Sequence, residues 1–480
     1  MTWYSRPMHD LPRRRIAVVG GGLAGLEVAV AAAEGGSAVE VFEPGPRTRT
    51  RHVYWDTTTH AGDEKVRSWT SDGWAAGGGL SERLGGRSLC YHGVLLGLEP
   101  AALASWDPAW ARRLAGDGGL YASILDSLRA DFPELEARER YPRLGALGLR
   151  HVPQAARLDD AGRFEAYSPL ARTLDLVAAG RIRLTRARVR AVVPEPGGCA
   201  VEIERPSGTE RRRGFDTCVL ASSAIGNVQL LAASLRRDIT TSVTDHFCVG
   251  AFVRLPPGPP LTPFRHRMVW SGFVQLGEIG TNLFFFERPP LACGDRIVEL
   301  DAVVEQQGEL GSLSELRVQV LSDGVRSHIR AHVSEASRAL VDAARVEVRR
   351  WAERLAGGVV VDVVRDPSSR SAAARGDAPW SDHGEALEAI AAAAVGAFSE
   401  YEVSYGGFEH EACTHPISDG GPVPVTSDLE VVELPGVHVA GPGAFPRLGA
   451  ANPALTIIAM SRWLGGRMGS APRHVASTSP

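Results

Sequence analysis

The chain has 480 residues, long enough for two domains of ordinary size, with 44% hydrophobic and 22% charged residues, the balance of a globular protein in water. Its net charge of -4 argues against nucleic acid as a partner, and no apolar run approaches the length of a membrane span. Six cysteines (Cys90, Cys199, Cys218, Cys248, Cys293, Cys413) are scattered without a CxxC pair, which indicates neither a metal site nor a disulfide framework.

Met1 to Asp10 carries no apolar stretch of the secretory kind, so a cytoplasmic location with reduced thiols is expected. The first organised stretch is Arg15 to Glu43. Ile16 to Val19 reads as a buried parallel strand, and Gly20, Gly22 and Gly25 follow in Gly-x-Gly-x-x-Gly spacing. A helix of small and aliphatic residues, Ala24 to Ala33, should end at Gly35-Gly36, and Ala38 to Phe42 forms a second strand closing on Glu43. Glycines there let the backbone approach a pyrophosphate, whose charge sits on the free amides of the helix N-terminus. A carboxylate at Glu43 suits a ribose diol and repels a 2′-phosphate, which favours FAD or NAD over NADP. The glycine triplet alone is weak evidence; both strands, the helix and the acid together make a dinucleotide-binding unit.

A polar stretch, Arg47 to Asp72, leads to glycines at Gly77 to Gly79 and to LGGRSLCYHG, Leu84 to Gly93, where Gly85 and Gly86 permit close approach to a flat ring or a phosphate. Taken alone, that segment reads better as a flexible surface loop. Asp107 to Arg140 predicts polar helices with Leu120, Ile124 and Leu128 on the core side. From Arg181 the pattern turns to strands, through Val189, Val201 and Ile203, and Cys218 to Leu220 ends in a second strand-to-glycine turn before a helix over Val228 to Leu235. Five β-type runs follow between residues 246 and 321 without an intervening helix, so an antiparallel sheet is expected. Ser334 to Ala356 predicts an amphipathic helix with Leu340, Ala344, Val348, Trp351 and Leu355 on one face; Pro367 to Gly384 reads as a mobile loop and Glu385 to Phe398 as a helix. Phe284 to Phe286 reads as sheet core, with neighbouring residues on opposite faces.

The C-terminal region concentrates reactive side chains. GFEHEACTHPISDGG, Gly407 to Gly421, holds His410 and His415 among acids. A strand ending at Gly441 then precedes Asn452-Pro453, which reads as N-cap and first residue of a helix over Ala454 to about Leu464.

These segments resemble the glucose-methanol-choline (GMC) flavoprotein oxidoreductases. GGGLAG with Glu43, LGGRSL, ASSAIGNVQLL, HEACT and FPRLGAANPALTIIAMSR occur in that family's order, over about residues 14 to 468. The resemblance implies an α/β fold: a Rossmann-like FAD-binding domain from residues 13-97, 155-236 and 405-470, a substrate-binding domain on an antiparallel sheet from 98-154 and 237-404, and a disordered tail at 471-480. It implies FAD contacts at Gly20, Gly22, Leu23, Ala24, Gly25, Glu43, Gly85, Gly86, Ser88, Val189, Ala221, Gly441, Asn452, Pro453, Ala454 and Leu455. By position, the histidine and asparagine that face the flavin and substrate are His410 and Asn452, with His415 in reserve. Three departures stand out: Ala412-Cys413-Thr414 where x-Gly-Thr is usual, Gly226-Asn227-Val228 where Ser or Thr and Pro are common, and Gly441 where many members have Asp. Cys90 and His92 lie near a position through which some members bind FAD covalently, although a non-covalent FAD is expected.

The implied reaction is oxidation of an alcohol of a small polar molecule, such as a sugar, an aminosugar or a natural-product intermediate. His410 takes the hydroxyl proton, Asn452 orients the oxygen, hydride passes to the flavin, and oxygen or another acceptor reoxidises it. Glu409 and Glu411 flank the base, where they would meet a cationic substrate or point to solvent. A flavin-containing lyase of the same family and an NAD-dependent dehydrogenase are the alternatives.

Overall fold

The glycine turn sits on a five-stranded parallel sheet, in the order Val437–Val439, Thr217–Leu220, Arg15–Val19, Ala38–Glu43, Ile182–Arg186. In this computed structural model residues 14–46, 52, 65–66, 68–75, 80–133, 135, 142–261, 268–308, 312–363 and 383–470 are described. Arg15–Val19 lies between two partners, Val18 pairing with Val41 on one side and Val219 on the other, and it is covered on both faces. That is why it reads as an unbroken apolar run rather than an alternating one. Chain order reverses at this strand, so the crevice at its carboxyl end is where an open α/β sheet holds a ligand.

Two helices cross one another over this sheet: Leu23–Glu34 and the final helix, Ala454–Ser470. The final helix runs six residues beyond the expected Leu464, because Gly465 and Gly466 lie inside it and do not end it. A Cβ on Gly465 would stand 2.5 Å from the Val28 carbonyl oxygen, so the glycine lets the two backbones meet. Glu27, buried in the earlier helix, accepts from Arg462 Nε at 2.8 Å and from the Tyr167 hydroxyl, which locks the pair.

A three-stranded antiparallel meander, Val189–Glu195, Gly198–Arg205 and Gly208–Phe215, branches from the parallel sheet. The β-type runs after residue 246 divide between two sheets rather than forming one. The larger has the order Gly272–Leu276, Thr281–Glu287, Arg296–Val304, Phe247–Leu255, Ala397–Val403, Val361–Asp362, antiparallel except at its last pair. The smaller pairs Ile239–Val243, Ser314–Leu321 and Gly324–Arg330 with Thr70–Asp72, a parallel edge strand drawn from the stretch expected to be a polar connection.

Other helices shift their ends or their buried face, by up to six residues. Ser223–Leu235 starts its helix before Gly226, and helix Glu335–Ala356 buries Ser337, Val341, Ala344, Val348 and Ala352, a face rotated toward the neighbours of Leu340 and Trp351. The helix expected from Glu385 to Phe398 is His383–Ala392, and Phe398 lies in strand Ala397–Val403. Gly77 to Gly79, most of the Arg47 to Asp72 stretch, the loop before His383 and the tail 471-480 lie outside the described residues. Among the described residues no helix is long and apolar enough to cross a membrane.

Candidate active site

Gly20 turns the chain at φ +109°, and a Cβ there would lie 2.4 Å from the Ala221 carbonyl oxygen; one on Gly25 would lie 2.0 Å from the Gly20 oxygen. Those two glycines serve the packing of strand, turn and helix. Gly22 differs, because nothing stands within 4 Å of a Cβ placed on it. The helix that begins there has no side-chain cap and no acid in its first turn, which leaves its positive end open to an anion. Glu43 is buried, accepting from Gly21 N at 2.8 Å and Gly45 N at 2.9 Å; burial raises its pKa against the pull of both amides.

Gly22 opens into a cavity of about 1150 Å³ between the parallel and the antiparallel sheets. Gly20, Gly22, Leu23, Ala24 and Glu43 line it from the turn; Gly86 and Ser88 line it from the second glycine cluster. That cluster is no surface loop: Gly85 N donates to Gly21 O at 2.8 Å, and Gly86 packs on Gly22. Val189, Ala221 and Gly441 add to the wall, and Asn452, Pro453 and Ala454 close it at the start of the final helix. Three expected contacts, Gly25, Gly85 and Leu455, are buried outside the lining and act through packing. Cys90 and His92 both line the cavity, the Cys90 thiol buried against the Arg87 carbonyl at 3.4 Å.

His410 and Asn452 reach the same cavity. The Asn452 Oδ1 is buried without a partner and does not cap the helix as expected, so it is available to whatever enters. His410 is held from behind by Asp245-His246, two residues the sequence did not single out. Asp245 Oδ1 accepts from His410 N at 3.0 Å and Oδ2 from Glu409 N at 3.1 Å, pinning a backbone in which Glu409 stands at φ +63°. Burial and the neighbouring Glu411 push Asp245 up to about 8, against the His410 and His246 amides and Arg87. The buried His246 ring meets His410 Nδ1 at 2.9 Å through its own Nδ1 and the Gly449 carbonyl at 2.7 Å through Nε2. Burial holds His246 down to about 4, and burial, His246, Arg87 and His92 hold His410 well below the ordinary imidazole value.

Glu409 and Glu411 line the cavity but are buried from solvent and held by one arginine. Arg87 forms a two-pronged pair with Glu411 at 2.7 and 3.1 Å, reaches Glu409 at 3.4 Å and donates to its carbonyl at 2.6 Å. His415, the reserve base, is fully buried outside the cavity lining, with Nδ1 2.9 Å from Thr414 Oγ1; burial takes it down to about 3. It packs against Gly443 and has a structural place. Asn227, where Ser or Thr was usual, accepts from Ser222 N at 2.8 Å and donates to the Leu220 and Ala440 carbonyls at 3.2 Å each, joining the ends of two parallel strands.

Solved structures share this fold. Pyridoxine 4-oxidase from Mesorbium loti aligns over 95% of this chain and 99% of its own at 17% identity, with a TM-score of 0.57. A formate oxidase variant from Aspergillus oryzae RIB40, studied for its FAD modification, aligns over 96% and 99% at 13% identity with a TM-score of 0.59. The chain has the GMC oxidoreductase fold. By sequence, the family model for pyridine nucleotide-disulphide oxidoreductases matches residues 15–58, which contain the glycine turn and Glu43. A search of curated proteins gave no match.

The far wall of the cavity is built on the six-stranded sheet, within the stretch expected to form the substrate-binding domain, although its charged residues were not singled out from the sequence. On strand Arg296–Val304, Glu299 and Asp301 share a face with Phe286 and Phe284, their partners across the ladder, while Phe285 points the other way onto Trp351. Gly250 opposes Asp301 and leaves room for the Tyr401 ring, whose hydroxyl donates to Glu299 at 3.0 Å and to Asp301. Burial alone would raise Glu299, but Arg288 and His383 beside it bring it down to about 2. Asp301, left with the tyrosine, is pushed up to about 7 by burial and by Glu299. The signal was in the sequence: two acids two residues apart in a strand otherwise apolar share one face.

Proposed function

We propose that the protein oxidises a CH–OH group of a small polar molecule with FAD as its electron acceptor. The observation that carries this reading is that His410 and Asn452 open onto the same cavity as the Gly22 turn. The residues fit the cofactor: Gly22 has open space before it, Glu43 stands at the strand end, and an orphaned amide oxygen waits at Asn452. FAD bound along that wall would supply the two-electron acceptor for the hydride leaving the carbinol carbon.

The chain's own residues handle the proton. His410, neutral at working pH because of its lowered pKa, takes the hydroxyl proton, and the Asn452 side chain orients the reacting oxygen. Trp270 and Phe286 offer an apolar face to the substrate, and Arg288, Asp301 and His383 offer hydrogen bonds, which supports a polar substrate such as a sugar or an aminosugar.

An absorption spectrum of the purified protein, before and after acid precipitation, tests the cofactor. Yellow colour released to the supernatant is expected; colour in the pellet would place a covalent bond at Cys90 or His92. Anaerobic mixing with polyols and aminosugars should bleach the flavin, and His410→Ala should slow bleaching about 100-fold or more. No flavin after reconstitution with FAD would overturn the proposal.

A further inference from the structure

We propose that His246 is a positioning residue that holds the His410 imidazole in one tautomer, with the proton on Nδ1 and the lone pair on Nε2. This rests on His410 being the base, and it follows from counting protons along a chain of three groups. A carbonyl oxygen only accepts, so the His246 Nε2 that lies 2.7 Å from Gly449 O carries a hydrogen. A neutral imidazole has one N–H, so His246 Nδ1 bears a lone pair. It lies 2.9 Å from His410 Nδ1, which must therefore donate. His410, neutral by the same count, is left with a bare Nε2, the nitrogen that can take a proton from a substrate.

The alternative state shows what the arrangement avoids. Were His246 a cation, both its nitrogens would donate, His410 Nδ1 would accept, and the His410 proton would move to Nε2, removing the base. Burial prevents this, since the His246 ring is 1% exposed and its two nitrogens already have the partners named. The charged groups around the pair are Arg87 and His92 near His410, and Asp245 and Glu411 near its backbone. The Asp245 carboxylate is engaged with the amides of residues 246, 409 and 410 rather than with either ring.

His246 also ties the base to the loop that presents Asn452. Its acceptor, Gly449, lies three residues before Asn452, and that loop is fixed by Glu305 accepting from Gly449 N at 2.9 Å and Glu99 accepting from Ala450 N at 3.1 Å.

Long-range ¹H–¹⁵N correlation spectra of the FAD-loaded protein, labelled in histidine, read the tautomer without any substrate. The His410 signals, assigned by their loss in His410→Gln, should show a neutral ring protonated at Nδ1. A ring protonated at Nε2 overturns the proposal, whatever the fate of the variants. His246→Phe keeps the ring volume and removes both bonds. It should yield a mixed tautomer and slow flavin reduction about 10-fold or more, with the KM little changed, using whichever polyol or aminosugar bleaches the wild type. His246→Gln can donate to Gly449 and accept from His410, and should restore both signals and rate. A His246→Phe protein with wild-type spectrum and rate also overturns it. If His410→Gln reduces its flavin at the wild-type rate, the reading of His410 as base fails separately, and the spectrum still decides the tautomer.

Discussion

At the scale of single residues, the proposed chemistry depends on imidazoles kept neutral by burial. A base works only when unprotonated, and a lowered pKa moves the loss of that form to lower pH. The rate of flavin reduction should therefore hold as pH falls past about 6.5, the ordinary imidazole value, and be lost only below it. Stopped-flow rates across pH check this, and an acid limb at or above 6.5 would count against His410. Asn227 illustrates the structural counterpart. Asn227→Leu would leave the Ser222 amide and the Ala440 carbonyl without this partner, the Leu220 carbonyl keeping only the Ala440 amide, with an expected loss of about 1–3 kcal/mol in urea unfolding. Backbone strain gathers near the same site. Cys413, standing where glycine is usual, adopts φ +60°, the left-handed region that a glycine occupies freely.

At the scale of elements, the contact between helices Leu23–Glu34 and Ala454–Ser470 decides whether the cofactor turn and Asn452 stay in register. Two adjacent glycines in it predict opposite outcomes. Gly465→Ala places a Cβ 2.5 Å from the Val28 oxygen and should destabilise by about 1–3 kcal/mol despite better helix propensity. Gly466→Ala meets nothing within 4 Å and should stabilise by about 0.5–1 kcal/mol. Thermal melts of the two variants moving in the same direction would refute this account of the interface. Arg462→Ala leaves Glu27 buried with only a tyrosine hydroxyl, and about 2–3 kcal/mol should be lost, reduced from the fully buried case because Arg462 is partly exposed.

At the scale of the molecule, the cavity lies between the parallel sheet, which supplies the cofactor wall, and the six-stranded sheet, which supplies Glu299, Asp301 and Tyr401. A ligand filling it would bind the folded state alone. FAD at 100 times its Kd should add about 2.7 kcal/mol to the stability of the apoprotein, seen as a rise in Tm. Gly22→Val should abolish that rise while leaving the apoprotein Tm close to wild type, since nothing in the protein lies near the added side chain. A large fall in the apoprotein Tm would mean that Gly22 is there for packing instead.

What the sequence by itself determined is what neighbouring residues dictate. The strand, turn, helix and acid of Arg15 to Glu43 lie within thirty residues, and their periodicity and glycine spacing express contacts made inside that unit. The extent of several longer strands was legible for the same reason, while Thr70–Asp72 and Ala397–Val403 were not read as strands, and the choice of sheet was not legible: Ser314–Leu321 and Arg296–Val304 read alike but lie in different sheets. Tertiary structure alone decided which charged groups are occupied and which are open. Glu409 and Glu411 read as meeting a cationic substrate or pointing to solvent, yet Arg87, more than 300 positions away, pairs with both. His246 meets His410 across 164 positions, and Asp301 gained a tyrosine from across the sheet. Local spacing carries no record of such pairs, because they form only when packing brings distant backbones together, and burial then sets which protonation state survives.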